Sequence, residues 1–285
     1  MKKHTGTLFF FAEKWYNFNN FIQNAKGGFF LAKIIAIANQ KGGVGKTTTA
    51  VNLAAALGLL GRKTLLIDID PQGNATSGVG IDRRNVLKST YHILVDGAKA
   101  EQAILHTGFK GLDLLPSSLD LAAAELEMAE QKHREAILKR AVAPVRSQYA
   151  YIMIDCPPSL GLITTNALCL ADSILVPIQC EYYALEGLSQ LMNTVRRVKR
   201  QYNERLEMEG VLLTMYDGRL NLTQQVVEEV KKYFPRKVFA SIIPRGVRLS
   251  EAPSFGKPIM YFDKSSKGSA AYMALAQEID RNNQA

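Results

Sequence analysis

Two rhythms of apolar and polar positions alternate along the chain. Short, mostly apolar runs recur at Ile34 to Ala38, Thr64 to Ile69, Leu112 to Leu115, Tyr151 to Asp155, Ser173 to Ile178, Gly210 to Met215 and Val238 to Ile243. Continuous apolar character over so few residues is what a strand buried on both faces needs. Between these runs lie stretches with helical spacing: Thr48 to Leu60, Leu119 to Arg140 with a break near Lys132, Ile163 to Leu170, Leu222 to Phe234, and Ser269 to about Arg281. The clearest is Leu185 to Tyr202. There Leu185, Leu188, Met192, Val195, Val198 and Tyr202 return at intervals of three and four, while Arg196, Arg197, Lys199 and Arg200 fall largely off that stripe. Residues 82–110 are weakly patterned, with short helices expected at Tyr91–Leu94 and Ala100–Leu105. Strand and helix in regular alternation predict a doubly wound α/β domain of seven or eight parallel strands.

Composition changes this picture little. With 285 residues, 47% hydrophobic and 21% charged, the chain can bury one large core. No apolar run approaches the roughly 20 residues of a membrane span. The net charge of +9 points to a polyanionic partner. Cys156, Cys169 and Cys180 are too few and too widely spaced for a zinc or disulfide framework, and read as reduced thiols of a cytosolic protein. Residues 1–30 stand apart: rich in Phe and Asn, they hold the single Trp and show no amphipathic period.

The candidate chemistry begins where the first strand ends. Lys41-Gly42-Gly43-Val44-Gly45-Lys46-Thr47 is a glycine-rich turn leading into a helix. Glycines let backbone N–H groups approach phosphate oxygens, and the helix start adds partial positive charge. Lys46 is placed to reach the β- and γ-phosphates and the Thr47 hydroxyl to hold Mg²⁺. The standard phosphate-loop pattern has glycine where this chain has Gln40, and a second lysine, Lys41, stands beside it. Asp155 closes an apolar strand, the position for a carboxylate that holds Mg²⁺ through water. Asp68 and Asp70 end the strand after the loop, facing the crevice where doubly wound sheets bind ligands.

The loop KGGVGKTT resembles the deviant Walker A loop of the ParA/MinD ATPases. The likeness continues through LLIDIDPQGNATSGVG (65–80), YIMIDCPPSLG (151–161), PIQCEYYALEGL (177–188), LLTMYDGR (212–219) and IIPRGVRLSEAPSFGKPI (242–259), nearest the chromosomal ParA (Soj-type) branch. It implies a P-loop NTPase fold over 31–285, mostly parallel and flanked by helices. The chain would then be a slow, Mg²⁺-dependent ATPase. Residues 1–30 would be an extension or a misplaced start, with Leu31 standing where the family has its initiator Met.

The resemblance also assigns roles. Lys41 would cross an ATP-sandwiched homodimer to the other copy's phosphates, Asp70 would serve the attacking water, and Lys46 would act with them, Asp68 being a supporting group. Gly42, Gly43, Val44, Gly45, Thr47 and Thr48 would cradle the phosphates, while Met215, Pro244 and Arg245 would meet the adenine. Gly246 replaces the family's usual Asn there, which puts base selectivity in question. Arg219 and Arg248, extended by Lys231 and Lys232, would contact double-stranded DNA without sequence preference. A ParB-like protein would stimulate hydrolysis on the nucleoid, in the bacterial cytoplasm.

Three other readings compete. A MinD-like membrane switch requires an amphipathic C-terminal helix with a basic face, whereas Tyr272, Leu275, Ala276 and Ile279 share a face suited to core docking. An iron-protein electron carrier requires cluster-bridging cysteines. A metabolic P-loop ligase requires substrate-specific residues, and none is evident.

Overall fold

The computed structural model describes residues 31–181 and 188–284. The expected start of the amphipathic helix at Leu185, and everything expected of residues 1–30, lie outside these.

Among the described residues seven strands form one sheet: β1 (Lys33–Ile37), β2 (Thr64–Asp68), β3 (Leu105–His106), β4 (Leu112–Leu115), β5 (Tyr151–Asp155), β6 (Ser173–Gln179) and β7 (Glu207–Thr214). Their order is β3-β4-β2-β5-β1-β6-β7. All pairs are parallel except β3 with β4 at the edge. The helix expected over Ala100–Leu105 stops short: the turn at Ala100–Gln102 closes early and Leu105 pairs with Leu114.

The longer described helices are α1 (Lys46–Leu59), α2 (Leu162–Leu170), α3 (Leu188–Gln201), α4 (Asn221–Tyr233) and α5 (Lys267–Gln284). Side-chain alternation along the strands divides the core in two. Ile34 and Ala36 of β1 join Ile152 and Ile154 of β5 on the face covered by α2 and α3. Ile35 and Ile37 join Met153 on the face covered by α1 and α5. Both faces are dry, which explains the unbroken apolar runs.

Two expectations need correction. Val238 to Ile243 is not a strand. It runs beside β7, with Phe239 N donating to Val211 O at 3.0 Å and Ile243 N to Leu213 O at 2.9 Å. Between these, Ala240 N and Ser241 N turn away to the Glu278 carboxylate at 2.7 and 2.9 Å, so no ladder forms. Residues 119–140, expected as a helix broken near Lys132, form only short helical turns, Ala124–Glu127 among them, before a helix at Ile137–Val142. The interruption falls where expected, beside Lys132, with His133 at φ +55°.

Candidate nucleotide site

β2, β5 and β1 are neighbours, and their carboxyl ends bring three segments together. In register, Asp155 lies opposite Ile37 of β1 on one side and Asp68 of β2 on the other. The loop that leaves β1 is fixed at its root by Asn39. Its Nδ2 donates to Pro177 O at 2.8 Å, and its Oδ1 accepts from Lys41 N at 3.0 Å. Gly43 and Gly45 take left-handed φ values of +73° and +87°, strained for any side chain. Gly45 caps α1 without a side-chain acceptor, leaving the first-turn N–H groups available to an anion. From across the sheet the Thr214 hydroxyl donates to Val44 O at 2.8 Å, tying the loop to the end of β7.

Lys46 is largely buried, and its ammonium donates to the carbonyl of Lys41 at 3.0 Å. Burial lowers its pKa, against the opposing pull of Asp155, Cys156 and Asp70. Asp155 is fully buried, and among the described residues neither carboxylate oxygen has a hydrogen-bond partner. Burial first, then the charge of Asp68, pushes its pKa well above the usual range; the nearby Thr47 hydroxyl and Lys46 oppose this without closing a hydrogen bond. A buried carboxylate left without partners costs free energy unless a cation arrives. Oxygen donors from one carboxylate and one hydroxyl, beside a phosphate cradle, suit Mg²⁺, which completes its shell with water and phosphate oxygens. Thr47 and Asp155 therefore fit that ion. Among the described residues the other orphaned buried side-chain atom is Gln40 Oε1, at the root of the same loop.

Asp68 and Asp70 are held differently. Asp68 Oδ2 accepts from Thr76 N and Oγ1 at 2.8 and 2.7 Å, and Oδ1 accepts from Asp70 N at 3.1 Å. Burial raises its pKa to about 6. It is a fastening between β2 and the Asn74–Gly78 helix. Asp70 is anchored through its backbone carbonyl to Ser117 Oγ at 2.7 Å, while among the described residues Oδ1 accepts only the local Gln72 N at 2.9 Å.

A cavity of about 400 Å³ lies past Gly45 and Thr48, lined by Met215, Pro244, Arg245 and Gly246. Met215 takes φ +50°, unusual for a side-chain-bearing residue, and the turn is pinned by Tyr216 N to Ile243 O and Arg245 N to Tyr216 O at 3.0 and 3.1 Å. A Cβ at Gly246 would meet no atom within 4 Å. The geometry thus joins the loop, the paired carboxylate-bearing strands and a base-sized hollow in one cleft.

Residues 32–208 match the family model described as AAA domain. The sporulation initiation inhibitor protein Soj of Bacillus subtilis is 58% identical over 252 residues, covering 88% of this chain and 100% of Soj. The chromosome partitioning protein ParA of Myxococcus xanthus is 53% identical over 254 residues, covering 89% and 90%. The chain belongs to the ParA/MinD superfamily. Among solved structures, the cell division ATPase MinD of Pyrococcus furiosus superposes with TM-score 0.74 at 26% identity, over 88% of this chain and 100% of MinD. A Mycobacterium smegmatis protein described as cobyrinic acid a,c-diamide synthase, bound to ADP and magnesium, gives 0.80 at 36%, over 90% and 96%.

Some of what positions this ParA/MinD site was not read from sequence. Asn39 and Thr214 hold the loop, yet each carries only a weak signal: a polar residue at the end of an apolar run. The proposed DNA contacts are scattered over three segments, and most already have acidic neighbours. Arg219 grips Asp217 at 2.8 and 2.6 Å, holding that carboxyl down to about 2. Arg248 pairs with Glu251 at 3.0 Å and Asp263 at 3.5 Å, and Lys232 with Glu229 at 2.7 Å. Lys231, next to it on α4, is exposed.

The remaining features bear on the competing readings. Tyr272, Leu275, Ala276 and Ile279 of α5 are buried in the core beside α1. The face an amphipathic membrane anchor needs is therefore occupied. No helix of the described residues is long and apolar enough to cross a membrane. Cys156, Cys169 and Cys180 are free, buried thiols, and burial raises the pKa of each.

Proposed function

We propose that this chain is a partition ATPase whose ATP-bound dimer rides on DNA. In this reading ATP and Mg²⁺ occupy the cleft, two copies close over their nucleotides, and Lys41 of each reaches the phosphates held by the other. The observation that carries it is the state of Lys41. Its peptide is pinned, N–H to Asn39 and carbonyl to Lys46, while no partner for its ammonium is found among the described residues. A cation presented on a fixed backbone but left unused at a phosphate site suits a charge that completes a second active site.

Mg²⁺ held by Thr47 and Asp155 would supply charge neutralisation at the phosphates. Lys46 would leave the Lys41 carbonyl for phosphate oxygens, and Asp70, with a carboxylate only locally bonded, would orient the attacking water. Met215, Pro244 and Arg245 would bound the adenine. Duplex DNA would be held through phosphates by the dimer, with Arg219, Arg248, Lys231 and Lys232 among its contacts. A ParB-like protein would speed hydrolysis and release the dimer from the nucleoid. The likeness to Soj and ParA supports segregation as the task.

The test is an ATPase assay of the purified chain with duplex DNA and a ParB-like protein from the same genome. Slow basal turnover, raised several-fold only with both additions, is expected. Turnover indifferent to both would contradict the partition role.

A further inference from the structure

Helix α3 has two unequal faces. Leu188, Leu191, Thr194, Val195 and Val198 are buried in the core. On the other side Arg196, Arg197, Lys199 and Arg200 are exposed, and Arg205 follows in the next turn, also exposed. Among the described residues Arg196 bonds only to the Asn193 side chain. Arg197 looks onto a hollow lined by Glu125 and Glu135, whose carboxylates already engage Ile163 N and Arg134. Lys199, Arg200 and Arg205 have no carboxylate partner among the described residues. The helix dipole favours cations in the last turn, which accounts for Lys199 and Arg200 alone. Like charges at i, i+3 and i+4 otherwise work against a helix.

The position of this patch is fixed by topology. α3 connects parallel strands β6 and β7 and so runs against them. Asn203 bonds the carbonyls of Leu168 and Ala171, just before β6 begins, at 2.9 and 2.7 Å. The cations therefore sit toward the amino ends of the strands, about 12–18 Å along α3 from its first described residue, Leu188. Closing two copies over their nucleotides would leave the patch exposed on both.

We propose that the exposed face of α3, with Arg205, is a duplex DNA-binding surface that engages the phosphate backbone. Arg196 to Arg200 puts four cations within about 6 Å of helix axis, a density near that of duplex phosphates at one charge per about 1.7 Å. DNA fits better than an anionic membrane because the apolar half of α3 is consumed by the core, leaving nothing to insert between lipids. Arg219, Arg248 and Lys232 must first leave their own carboxylates; the α3 cations need not. The inference rests on the DNA-binding reading above and relocates part of its surface.

The experiment is fluorescence-anisotropy titration of a random-sequence duplex with the full chain, in a non-hydrolysable ATP analogue and Mg²⁺, across a salt series. The variant Arg196→Gln/Lys199→Gln/Arg200→Gln is compared with wild type, and Arg205→Glu serves as a second variant outside the helix. Circular dichroism and analogue-driven dimerisation without DNA control for folding. Both variants should bind at least tenfold more weakly at moderate salt. The salt slope of the triple variant should be shallower, by about 0.9 per lost contact. Affinity and slope unchanged in both, with wild type binding, would overturn the α3 surface alone. Wild type that ignores DNA at low salt would overturn the DNA reading itself. Wild-type flotation with phosphatidylglycerol vesicles, lost in the triple variant while duplex binding persists, would assign the patch to membranes and overturn the proposal.

Discussion

The ammonium of Lys46 donates to the backbone carbonyl of Lys41 at 3.0 Å, joining the two lysines of the phosphate loop in one hydrogen bond. One lysine thus holds the peptide of the other, while burial weakens its charge and the nearby Asp155, Cys156 and Asp70 favour it. Phosphate binding would transfer Lys46 to the ligand and leave Lys41 projecting from a loop still fixed by Asn39. The two residues should therefore fail differently.

Lys46→Ala removes a charge-assisted contact to the bound phosphates, worth about 1.5–3 kcal/mol, or roughly 10- to 150-fold in nucleotide affinity. Lys41→Ala should leave binding to a single copy nearly intact. It should instead lower turnover about a thousandfold and abolish analogue-driven association, as loss of an in-trans cation does. Isothermal titration and single-turnover hydrolysis separate the two. Equal loss of nucleotide affinity in both variants would show that Lys41 acts within its own site.

Asp70→Ala should keep nucleotide binding and dimer formation while hydrolysis falls at least a hundredfold, because only the water loses its orienting group. Sedimentation of this variant with ATP and Mg²⁺ should show a persistent dimer. A monomer would place Asp70 in assembly rather than in the chemical step.

Asp155→Asn replaces a buried, unpartnered carboxylate by a neutral side chain of the same shape. Nucleotide-free protein should gain about 1–3 kcal/mol, raising Tm by several degrees. Stabilisation by Mg²⁺ and ATP should disappear. The pH dependence follows from burial raising Asp155 and, to about 6, Asp68. A native carboxyl with a raised pKa binds its proton more tightly than the unfolded one. Nucleotide-free stability is therefore greatest below the ordinary carboxylate pKa and declines as pH climbs through 6 and beyond. The Asn variant should lose part of that decline in differential scanning fluorimetry.

Gly246→Asn tests the base cavity. The glycine lies at φ −156°, an extended conformation open to any residue, and nothing stands within 4 Å of the added Cβ. The variant should fold with wild-type Tm. It should bind ATP over GTP about fivefold better than wild type does, the effect of one added hydrogen bond of about 1 kcal/mol. Competition binding with the two nucleotides reads this directly.

Much of this architecture was legible in the chain because its strands are buried on both faces. Ile34 to Ala38 and Tyr151 to Asp155 have no alternative reading as half-exposed strands, and the glycine turn announced the helix that follows. What escaped had long-range causes. The segment around Ala240 has strand character, but Glu278, nearly forty residues later, captures its N–H groups. Leu105 lies in a weakly patterned stretch and becomes a strand only because β4 offers an edge. The positions of the loop, Asp155 and Asp70 in the cleft were readable because each lies at or just past a strand end. The tethers from Asn39 and Thr214 depend on which strands become neighbours, and that order is not written locally.

Joining of two copies by ATP through Lys41 would show as a change of mass in solution. Light scattering coupled to size-exclusion chromatography, with a non-hydrolysable ATP analogue and Mg²⁺, measures it most directly. A doubled mass is expected for wild type, a single-copy mass with ADP, and a single-copy mass for Lys41→Ala under both nucleotides. Wild type that keeps a single-copy mass at saturating analogue would contradict it.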